Sequence, residues 1–333
     1  MGFHFEIYDQ PPVKWDKEIL NYEFPEICQT SIYGEFLRNS GITPKYILIF
    51  YKSDCIGNCL IQVTNQKIAT WLYGPLIQSK SGISQEEIIK DLLIFLKKTG
   101  IIAVENAKTQ KIFDRKTTFN EKSEMYSRIG GSPFIDVRPD MNELMNSFDR
   151  SVRKNVNKCE RNGVEIIISE GPNLVEPYQE MLSWFRSSRN FDMPSFFPNI
   201  ITMKLFNTAV TSMGIALAKF EGEFLAGMGF VTIGNIMTEL AMASSEKYET
   251  AKLPVNDYLK VKSIEFYKQK GITLYDLAGG EKNPSDPKKR SILLFKQKFA
   301  SSTALYGMID REILSTAWYP LAIRRKIKYL ISK

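Results

Sequence analysis

Histidine and cysteine are scarce in this sequence, which excludes several kinds of catalytic site. The 333 residues include one histidine, His4, and four cysteines, Cys28, Cys55, Cys59 and Cys159. A serine or cysteine nucleophile of the kind that is paired with histidine needs an imidazole base beside it in the fold, and a lone histidine near the N-terminus is a poor candidate. A tetrahedral zinc site also lacks enough suitably spaced ligands. We expect no metal, and we expect the cysteines to be small buried residues without disulfides, as in a reducing compartment.

Long apolar runs and nucleotide-binding loops are also missing. No apolar run approaches the roughly 18 residues of a membrane-spanning helix, so any membrane contact is expected to be peripheral. Residues 1–16 show no signal-peptide pattern, and we expect a cytoplasmic protein. Neither a G-x-x-x-x-G-K-[ST] nor a G-x-G-x-x-G sequence follows the first strands. Residues 128–133 are predicted to be a glycine-bearing loop whose spacing does not suit a pyrophosphate, and we expect no cofactor.

Basic residues exceed acidic residues by seven, and the excess is concentrated in three segments. Residues 150–163 carry a net charge of +4, and residues 282–298 and 321–333 carry +5 each, so the rest of the chain is net negative. Clustered cations raise the local electrostatic potential, which favours a polyanionic or phosphate-bearing partner. The alternative is that these charges only keep the surface soluble.

Alternating strands and helices predict an α/β fold. The first series comprises a hairpin over 45–64, a strand over 68–73, a helix from the capping box at Ser84 to Thr99, and a strand over 101–106. The second series comprises helix 142–162, strand 164–169, helix 176–188, a three-strand meander over 215–243, helix 254–270, strand 272–277 and a polar loop over 282–291.

The predicted helix over 142–162 is amphipathic. Its apolar residues fall within one arc at 3.6 residues per turn, and the opposite arc is basic. We expect Arg153, Lys154 and Lys158 on this basic stripe to contact nucleic-acid phosphates. Solvation of the helix explains the same stripe equally well.

The most specific local pattern follows the strand that ends at Asp276. Gly279 and Gly280 permit close approach of the main chain to a ligand, and Phe295 and Lys296 place an aromatic ring beside a cation. The alternative is that Asp276 caps the adjoining turn and that Lys296 is a solvated charge.

Several segments, taken in order, carry a family resemblance. They are Arg153-Lys-Asn-Val-Asn-Lys-Cys-Glu-Arg-Asn-Gly-Val164, Ala218-Lys-Phe-Glu-Gly-Glu223 with its meander, Pro254, Lys270-Gly-Ile-Thr-Leu-Tyr-Asp-Leu-Ala-Gly-Gly280 and Phe295-Lys-Gln-Lys-Phe299, with weaker counterparts at 29–38 and Tyr73-Gly-Pro-Leu76. This set resembles the FemABX aminoacyltransferases, which build peptidoglycan interpeptide bridges, and their acetyltransferase-fold relatives. The resemblance covers about the whole chain and is strong after Arg150.

The resemblance implies two GNAT-like domains of the acyl-CoA N-acyltransferase type, each with a mixed central sheet flanked by helices. We expect the first domain over 1–137 with 303–333 and the second over 138–302. Members of the family move an amino acid from aminoacyl-tRNA to an amino group of a peptidoglycan precursor, without metal and without acetyl-CoA. The expected partners are therefore aminoacyl-tRNA and a peptidoglycan precursor, or another phosphate-bearing glycan, bound by a monomer.

The resemblance also assigns site residues. Phe295 and Lys296 match the family's aromatic and lysine pair beside the acyl-transfer centre, and Asp276 is the candidate base. Arg38 matches a position that holds precursor phosphates. Arg189 is the nearest match to a further family arginine, which has no clean counterpart here. Tyr73, Gly279 and Gly280 complete the expected substrate-binding residues.

Two other functions remain open at this point. One is an acyl-CoA-dependent N-acyltransferase acting on a nucleotide sugar or surface glycan, and the other is a non-catalytic module that binds RNA or phosphate. The C-terminal segment from Trp318 has two interpretations of its own. Its aromatic and basic residues suit peripheral contact with the inner face of an anionic membrane, but we prefer the interpretation of a terminal helix packed on the first domain, since the segment is short.

Overall fold

The computed structural model describes residues 2–78, 83–113, 120–189 and 196–331. The chain divides into two compact units. Unit 1 consists of Met1–Gly130 with Leu305–Lys333, and unit 2 consists of Gly131–Ala304.

Helices and strands alternate along much of the described chain. The first part contains β1 Phe3–Tyr8, α1 Trp15–Leu20, α2 Ser31–Asn39, β2 Thr43–Tyr51, β3 Asp54–Val63, β4 Ile68–Thr70, β5 Leu76–Ile77, α3 Gln85–Lys98, β6 Ala103–Lys108 and β7 Arg128–Asp136. The middle part contains α4 Met141–Ser147, α5 Arg150–Arg161, β8 Glu165–Ser169, α6 Val175–Arg189, α7 Ile200–Phe206, β9 Thr211–Phe220, β10 Glu223–Ile233 and β11 Ile236–Ser244. The last part contains α8 Glu246–Ala251, α9 Val255–Gln269, β12 Leu274–Asp276, β13 Gly280–Glu281, α10 Pro287–Gln297, β14 Ser302–Ile313 and α11 Trp318–Ile331.

Unit 1 is built on a mixed sheet. Its strand order is β1-β2-β3-β4-β6-β14, in which β4 and β6 are parallel and the other neighbouring strands are antiparallel. Helix α3 covers one face and buries Ile88, Ile89, Leu92 and Leu96 against the strands. Its N-terminus carries the predicted capping box, in which Ser84 and Glu87 satisfy each other's main-chain N–H groups.

Unit 2 repeats this architecture. Its strand order is β7-β12-β11-β10-β9-β8, in which β11 and β12 are parallel and the other pairs are antiparallel. The predicted meander forms β9, β10 and β11. The turns between these strands use left-handed residues, Glu221 and Gly222 in the first and Gly234 in the second. Helices α5 and α9 pack with this sheet in one apolar core.

One predicted helix is two helices in the structure. The chain is extended at Phe148 and Asp149, between α4 and α5. Asp149 caps α5 by accepting the Ser151 N–H at 2.7 Å, and the Phe148 ring is buried. The apolar spacing is the same for one long helix as for these two, so periodicity alone did not indicate the break.

Two predicted loops are wrong. Residues 128–133 belong to β7, and a Cβ atom at Gly130 would lie 2.1 Å from the Tyr306 ring, so this glycine serves close packing. The polar segment 282–291 contains the start of α10, where Asp286 accepts the N–H of Lys288 at 2.7 Å and Pro287 occupies the first turn. Here the capping signal outweighs the polar composition.

The cysteines only partly follow expectation. None of these four cysteines takes part in a disulfide; Cys59 and Cys159 are buried, Cys28 is half-buried and Cys55 is exposed. Cys55 therefore corrects the expectation that all four are buried. Across residues 2–78, 83–113, 120–189 and 196–331, no helix is long and apolar enough to cross a membrane, and no cluster of three or more His, Cys, Asp or Glu could hold a metal ion.

Candidate functional site

Lys296 lies near the end of α10 and reaches the turn that follows β12. Its ammonium donates a hydrogen bond of 2.8 Å to the main-chain oxygen of Ala278. An ammonium group has three N–H donors. Within the described part of the chain this is the one hydrogen bond of the Lys296 ammonium, so two donors of a half-buried cation are left for a ligand.

The surroundings of Lys296 change its pKa. Burial lowers its pKa, and the charge of Lys260 acts in the same direction, while the carboxylates of Glu239 and Asp276 oppose this change. A charge removed from water is poorly screened, so it interacts strongly with a second charge placed beside it. Lys296 is therefore suited to stabilise negative charge on a bound molecule.

Glu239 on β11 and Lys260 on α9 form a buried ion pair in this region. Lys260 is fully buried, and the Tyr275 hydroxyl donates to the same carboxylate at 3.0 Å. Burial acts to raise the pKa of Glu239, but the charges of Lys260 and Lys296, with these hydrogen bonds, outweigh it and hold the pKa below its usual value. Glu239 is thus a carboxylate at neutral pH that balances one of the two ammonium groups.

The sheet is irregular beside Glu239. The register between β10 and β11 pairs Gly229 with Ala241 and Phe230 with Glu239, so Leu240 is an extra residue on β11. Such bulges redirect side chains and are frequent next to active sites. The acidic member of the buried pair is therefore held at a position that the regular pleat would not provide.

Asp276 has a different role from Glu239. It is fully buried at the end of β12, and its Oδ1 atom accepts hydrogen bonds from the Ser132 hydroxyl at 2.5 Å and from the Ala278 N–H at 2.8 Å. Ala278 has a left-handed backbone with φ of 57°. Asp276 therefore holds the turn whose carbonyl oxygen receives Lys296.

Phe295 and the two glycines frame this turn. The Phe295 ring packs against the core of unit 2 and meets the Phe299 ring edge to face at 5.7 Å, and Lys260 lies 5.7 Å from each ring centre. Gly279 is half-buried, and Gly280 begins β13. A Cβ atom at Gly280 would meet nothing within 4 Å, so the main chain there borders open space.

Two predicted substrate-binding residues belong to unit 1. Arg38, on α2, donates to the main-chain oxygen of Asp9 at 2.8 Å and lies 5.8 Å from the Tyr46 ring centre. Tyr73 has a left-handed backbone with φ of 55°, and its ring meets the Tyr306 ring edge to face. Arg38 and Tyr73 therefore have separate surroundings within this unit.

The Tyr73 ring is instead surrounded by cations that the sequence did not single out. Lys111 lies 4.0 Å and Lys108 lies 5.2 Å from the ring centre. Lys111 is buried and forms an ion pair with buried Glu26 at 2.9 Å. Burial lowers the pKa of Lys108, and the nearby Lys111 and Arg128 charges add to this effect. No hydrogen bond from the Lys108 ammonium occurs among the residues that the structure describes.

The residues of the predicted basic stripe on α5 make different contacts. The Arg153 guanidinium donates to the main-chain oxygens of Met145 at 2.9 Å and Phe148 at 2.7 Å, so it caps the end of α4. Lys154 is exposed, and exposed Lys158 donates to the Lys252 oxygen at 3.2 Å. Of the three predicted phosphate contacts, Lys154 and Lys158 thus direct their charge toward solvent.

A surface cavity of about 380 Å³ lies at the end of this stripe. Its lining residues are Asn155, Lys158, Tyr248, Glu249, Lys252, Leu253 and Pro254. Arg189, at the end of α6, forms an ion pair with Glu249. Arg189 therefore lies near this cavity and not among the contacts of Lys296.

The buried partners Glu239 and Lys260 were missed by sequence reasoning. Glu239 interrupts the apolar strand Ile236–Ser244, and Lys260 follows Leu259 on the buried side of α9. A charged residue within an apolar pattern was therefore the available signal. Which two of these charges meet is not visible in the spacing, because they lie on different elements.

No family model and no curated protein sequence match the chain. The crystal structure of FemX matches with a TM-score of 0.66 at 14% sequence identity, covering 95% of this chain and 99% of FemX. L-PGS from Bacillus licheniformis matches with a TM-score of 0.56 at 16% identity, covering 94% of this chain and 97% of that protein.

A third match extends the comparison to acetyltransferase-type proteins. A tandem GNAT protein from the clavulanic acid biosynthesis pathway matches with a TM-score of 0.53 at 9% identity, covering 94% of this chain and 99% of that protein. At such identities the likeness defines the fold alone. The chain has the tandem GNAT fold of FemX, and the α/β fold expected from the FemABX resemblance is confirmed.

Proposed function

We propose that this protein is an aminoacyltransferase that moves an amino acid from aminoacyl-tRNA to an amino group of a peptidoglycan or related cell-envelope precursor. The observation that carries the proposal is Lys296, a half-buried ammonium with two N–H donors left for a ligand, in a fold shared with FemX. The FemABX resemblance assigns the acyl-transfer centre to the same residue.

The chemistry asks little of the protein beyond alignment and charge stabilisation. The acceptor amine forms a C–N bond with the acyl carbon, and the ester C–O bond to the tRNA ribose breaks. The amine loses one proton and the ribose oxygen gains one, so the reaction balances without an added reagent. Lys296 stabilises the oxyanion of the tetrahedral intermediate. This contribution is large when the N–H groups that donate to the oxyanion are already held in position before the reaction.

The position of Lys296 is fixed by its neighbours. The Ala278 carbonyl orients the ammonium, and Asp276 holds that carbonyl through the turn. Asp276 is buried and its Oδ1 atom accepts two hydrogen bonds, so we assign it to positioning and not to proton abstraction. The amine proton passes to a phosphate or carboxylate of the substrates.

Unit 1 has a group suited to the acceptor. Lys108 is a half-buried ammonium beside the Tyr73 ring, with Lys111 and Arg128 nearby. These cations suit a phosphate or carboxylate of the precursor, since partial burial strengthens their attraction for an anion. We assign acceptor binding to Lys108 and Tyr73, with Arg38 as a second contact.

We assign donor tRNA to the exposed part of the basic stripe. Removing the charges of Lys154 and Lys158 should weaken RNA binding and reduce its salt dependence by up to about two units of slope, one for each lost phosphate contact. Arg153→Gln is the matched control. Since the Arg153 side chain caps α4, this variant should lower the free energy of unfolding. Unchanged RNA affinity in the double variant would mean that the stripe only solvates the helix.

A screen of acyl donors tests the proposed reaction. The purified chain is given charged tRNA or an acyl-CoA, with an amine-bearing, phosphate-linked precursor as acceptor. We expect transfer from charged tRNA and its loss in Lys296→Met. Transfer only from acyl-CoA would replace the proposal by a CoA-dependent N-acyltransferase. Binding of RNA without transfer from any donor would leave a non-catalytic module.

A further inference from the structure

Helix α11 presents an apolar stripe to solvent. Its exposed large side chains include Tyr319, Ile323, Ile327 and Leu330, of which Ile323 is 61% and Leu330 is 63% exposed. Their spacing of four, four and three residues places them on one face of the helix. A water-exposed stripe of this kind is unfavourable unless another surface covers it.

The opposite face of α11 is fixed to unit 1. Trp318 is buried against Ile68 and Ala103, and Leu321 packs with them. Arg325 donates to Glu105 at 3.1 Å and to Gln66 at 2.6 Å. These contacts hold the helix in one orientation, so the apolar stripe is a fixed property of the surface.

Basic residues flank the stripe. Arg324, Lys326 and Lys328 are exposed, and none forms an ion pair within the described residues. Helix α11 contains no acidic residue. At 3.6 residues per turn, Lys326 borders one side of the stripe and Arg324 lies beyond the other, whereas Lys328 lies on the far side of the helix. The helix therefore combines an apolar face with unbalanced positive charge.

We propose that α11 is an interfacial helix that binds the surface of an anionic lipid bilayer. The apolar stripe enters the boundary between headgroups and acyl chains, and Arg324 and Lys326 contact lipid phosphates. The positive charge selects this occupant: it attracts an anionic surface, whereas a second copy of α11 would bring the same charges together. Binding in the plane of the membrane requires no membrane-spanning helix.

Vesicle co-sedimentation of the full chain tests this proposal. Binding is compared between vesicles of phosphatidylcholine alone and vesicles that also contain phosphatidylglycerol. We expect binding only to the anionic vesicles. The variant Ile323→Ser/Ile327→Ser should reduce the partition coefficient at least tenfold, and Arg324→Gln/Lys326→Gln should reduce it severalfold and remove most of its salt dependence.

A matched control separates the stripe from general exposed hydrophobicity. Ile94 on α3 is 54% exposed, so Ile94→Ser removes a similar side chain elsewhere on unit 1 and should leave vesicle binding unchanged. Equal loss of binding in Ile94→Ser would overturn the proposal. So would binding to phosphatidylcholine vesicles that equals binding to anionic ones, or a dimer in sedimentation velocity that Ile323→Ser/Ile327→Ser converts to monomer. Transfer to a water-soluble acceptor should be unaffected by the stripe variants.

Discussion

Each unit of this protein buries a lysine and glutamate pair and places a second, half-buried lysine near it. In unit 1 the pair is Glu26 and Lys111, with Lys108 as the second lysine. In unit 2 the pair is Glu239 and Lys260, with Lys296 as the second lysine. In both units burial lowers the pKa of the second lysine.

The two second lysines differ in how they are held. Lys296 donates to the carbonyl of a turn that Asp276 fixes, whereas the described residues provide no hydrogen-bond acceptor for the Lys108 ammonium. A fixed cation suits a reacting centre, because preorganised charge needs no rearrangement during the reaction. A cation without an acceptor suits the binding of an incoming anion. The comparison therefore predicts separate effects on turnover and on binding.

Breaking the buried pairs should produce the largest effects. Glu239→Gln leaves the buried Lys260 ammonium without a counter-charge and should cost about 3–5 kcal/mol of unfolding free energy. Glu26→Gln should have a cost in the same range, because Lys111 is equally buried. Chemical denaturation of both variants measures these costs.

The control for the pairs is double replacement. Glu239→Leu with Lys260→Met removes both charges and should recover most of the lost stability, since apolar side chains replace buried ion pairs well. A loss of less than about 1 kcal/mol of unfolding free energy in Glu239→Gln would mean that the pair is solvated. The two units would then not share a buried ion pair.

Replacing Lys296 should mainly affect the chemical step. Lys296→Met should lower turnover by roughly 10²–10³ with little change in acceptor affinity, as expected when one oxyanion-stabilising group is lost. Lys298→Met is the matched control, because it removes a cation two residues further along and should keep turnover near that of the parent protein. Steady-state kinetics with the identified donor measures both. Normal turnover in Lys296→Met would show that Lys296 has no catalytic role, and the family resemblance would then support the fold alone.

Replacing Lys108 should mainly affect binding. Lys108→Met should raise KM for a phosphate-bearing acceptor by about 10-fold to 100-fold, the contribution of a hydrogen bond to a charged group, while kcat changes little. Isothermal titration with the acceptor alone provides an independent measurement. A fall in kcat equal to that of Lys296→Met would show that the two lysines act alike.

The pH dependence of stability should show the smallest effect. The pKa of Lys296 is lowered in the folded chain, so between that value and the ordinary lysine pKa the unfolded chain binds more protons. Stability from this group therefore rises with pH in that window, while turnover falls as the cation is lost. The unfolding free energies of the parent chain and Lys296→Met should converge as pH rises toward the ordinary lysine pKa. A difference that is constant with pH would contradict the burial of this charge.

Local signals in the sequence predicted much of the fold. The Ser84 capping box begins α3 as expected, and the turns at Glu221-Gly222 and Gly234 separate the strands of the meander. These features depend on a few adjacent residues. The break at Phe148 and Asp149 was not predicted, because it depends on the burial of the Phe148 ring in the core of unit 2.

The candidate site was predicted only in part. The pattern at 275–280 and 295–296 directed attention to Lys296, and the resemblance to a family gave it a role. Lys108, Lys260 and Glu239 were not singled out, because a charged residue in a sequence does not reveal its burial or its partner. Arg153 was assigned to nucleic acid, yet its guanidinium caps α4.

The sequence by itself determined the alternation of strands and helices, their caps and turns, and the position of Lys296 beyond the turn that carries Gly279 and Gly280. These properties follow from main-chain hydrogen bonding and apolar periodicity over short distances. The tertiary structure alone decided which charges are buried together, which ammonium groups keep donors for a ligand, and which face of α11 remains exposed. Those outcomes depend on contacts between residues far apart in the chain, where desolvation and charge pairing set the free energy of each group.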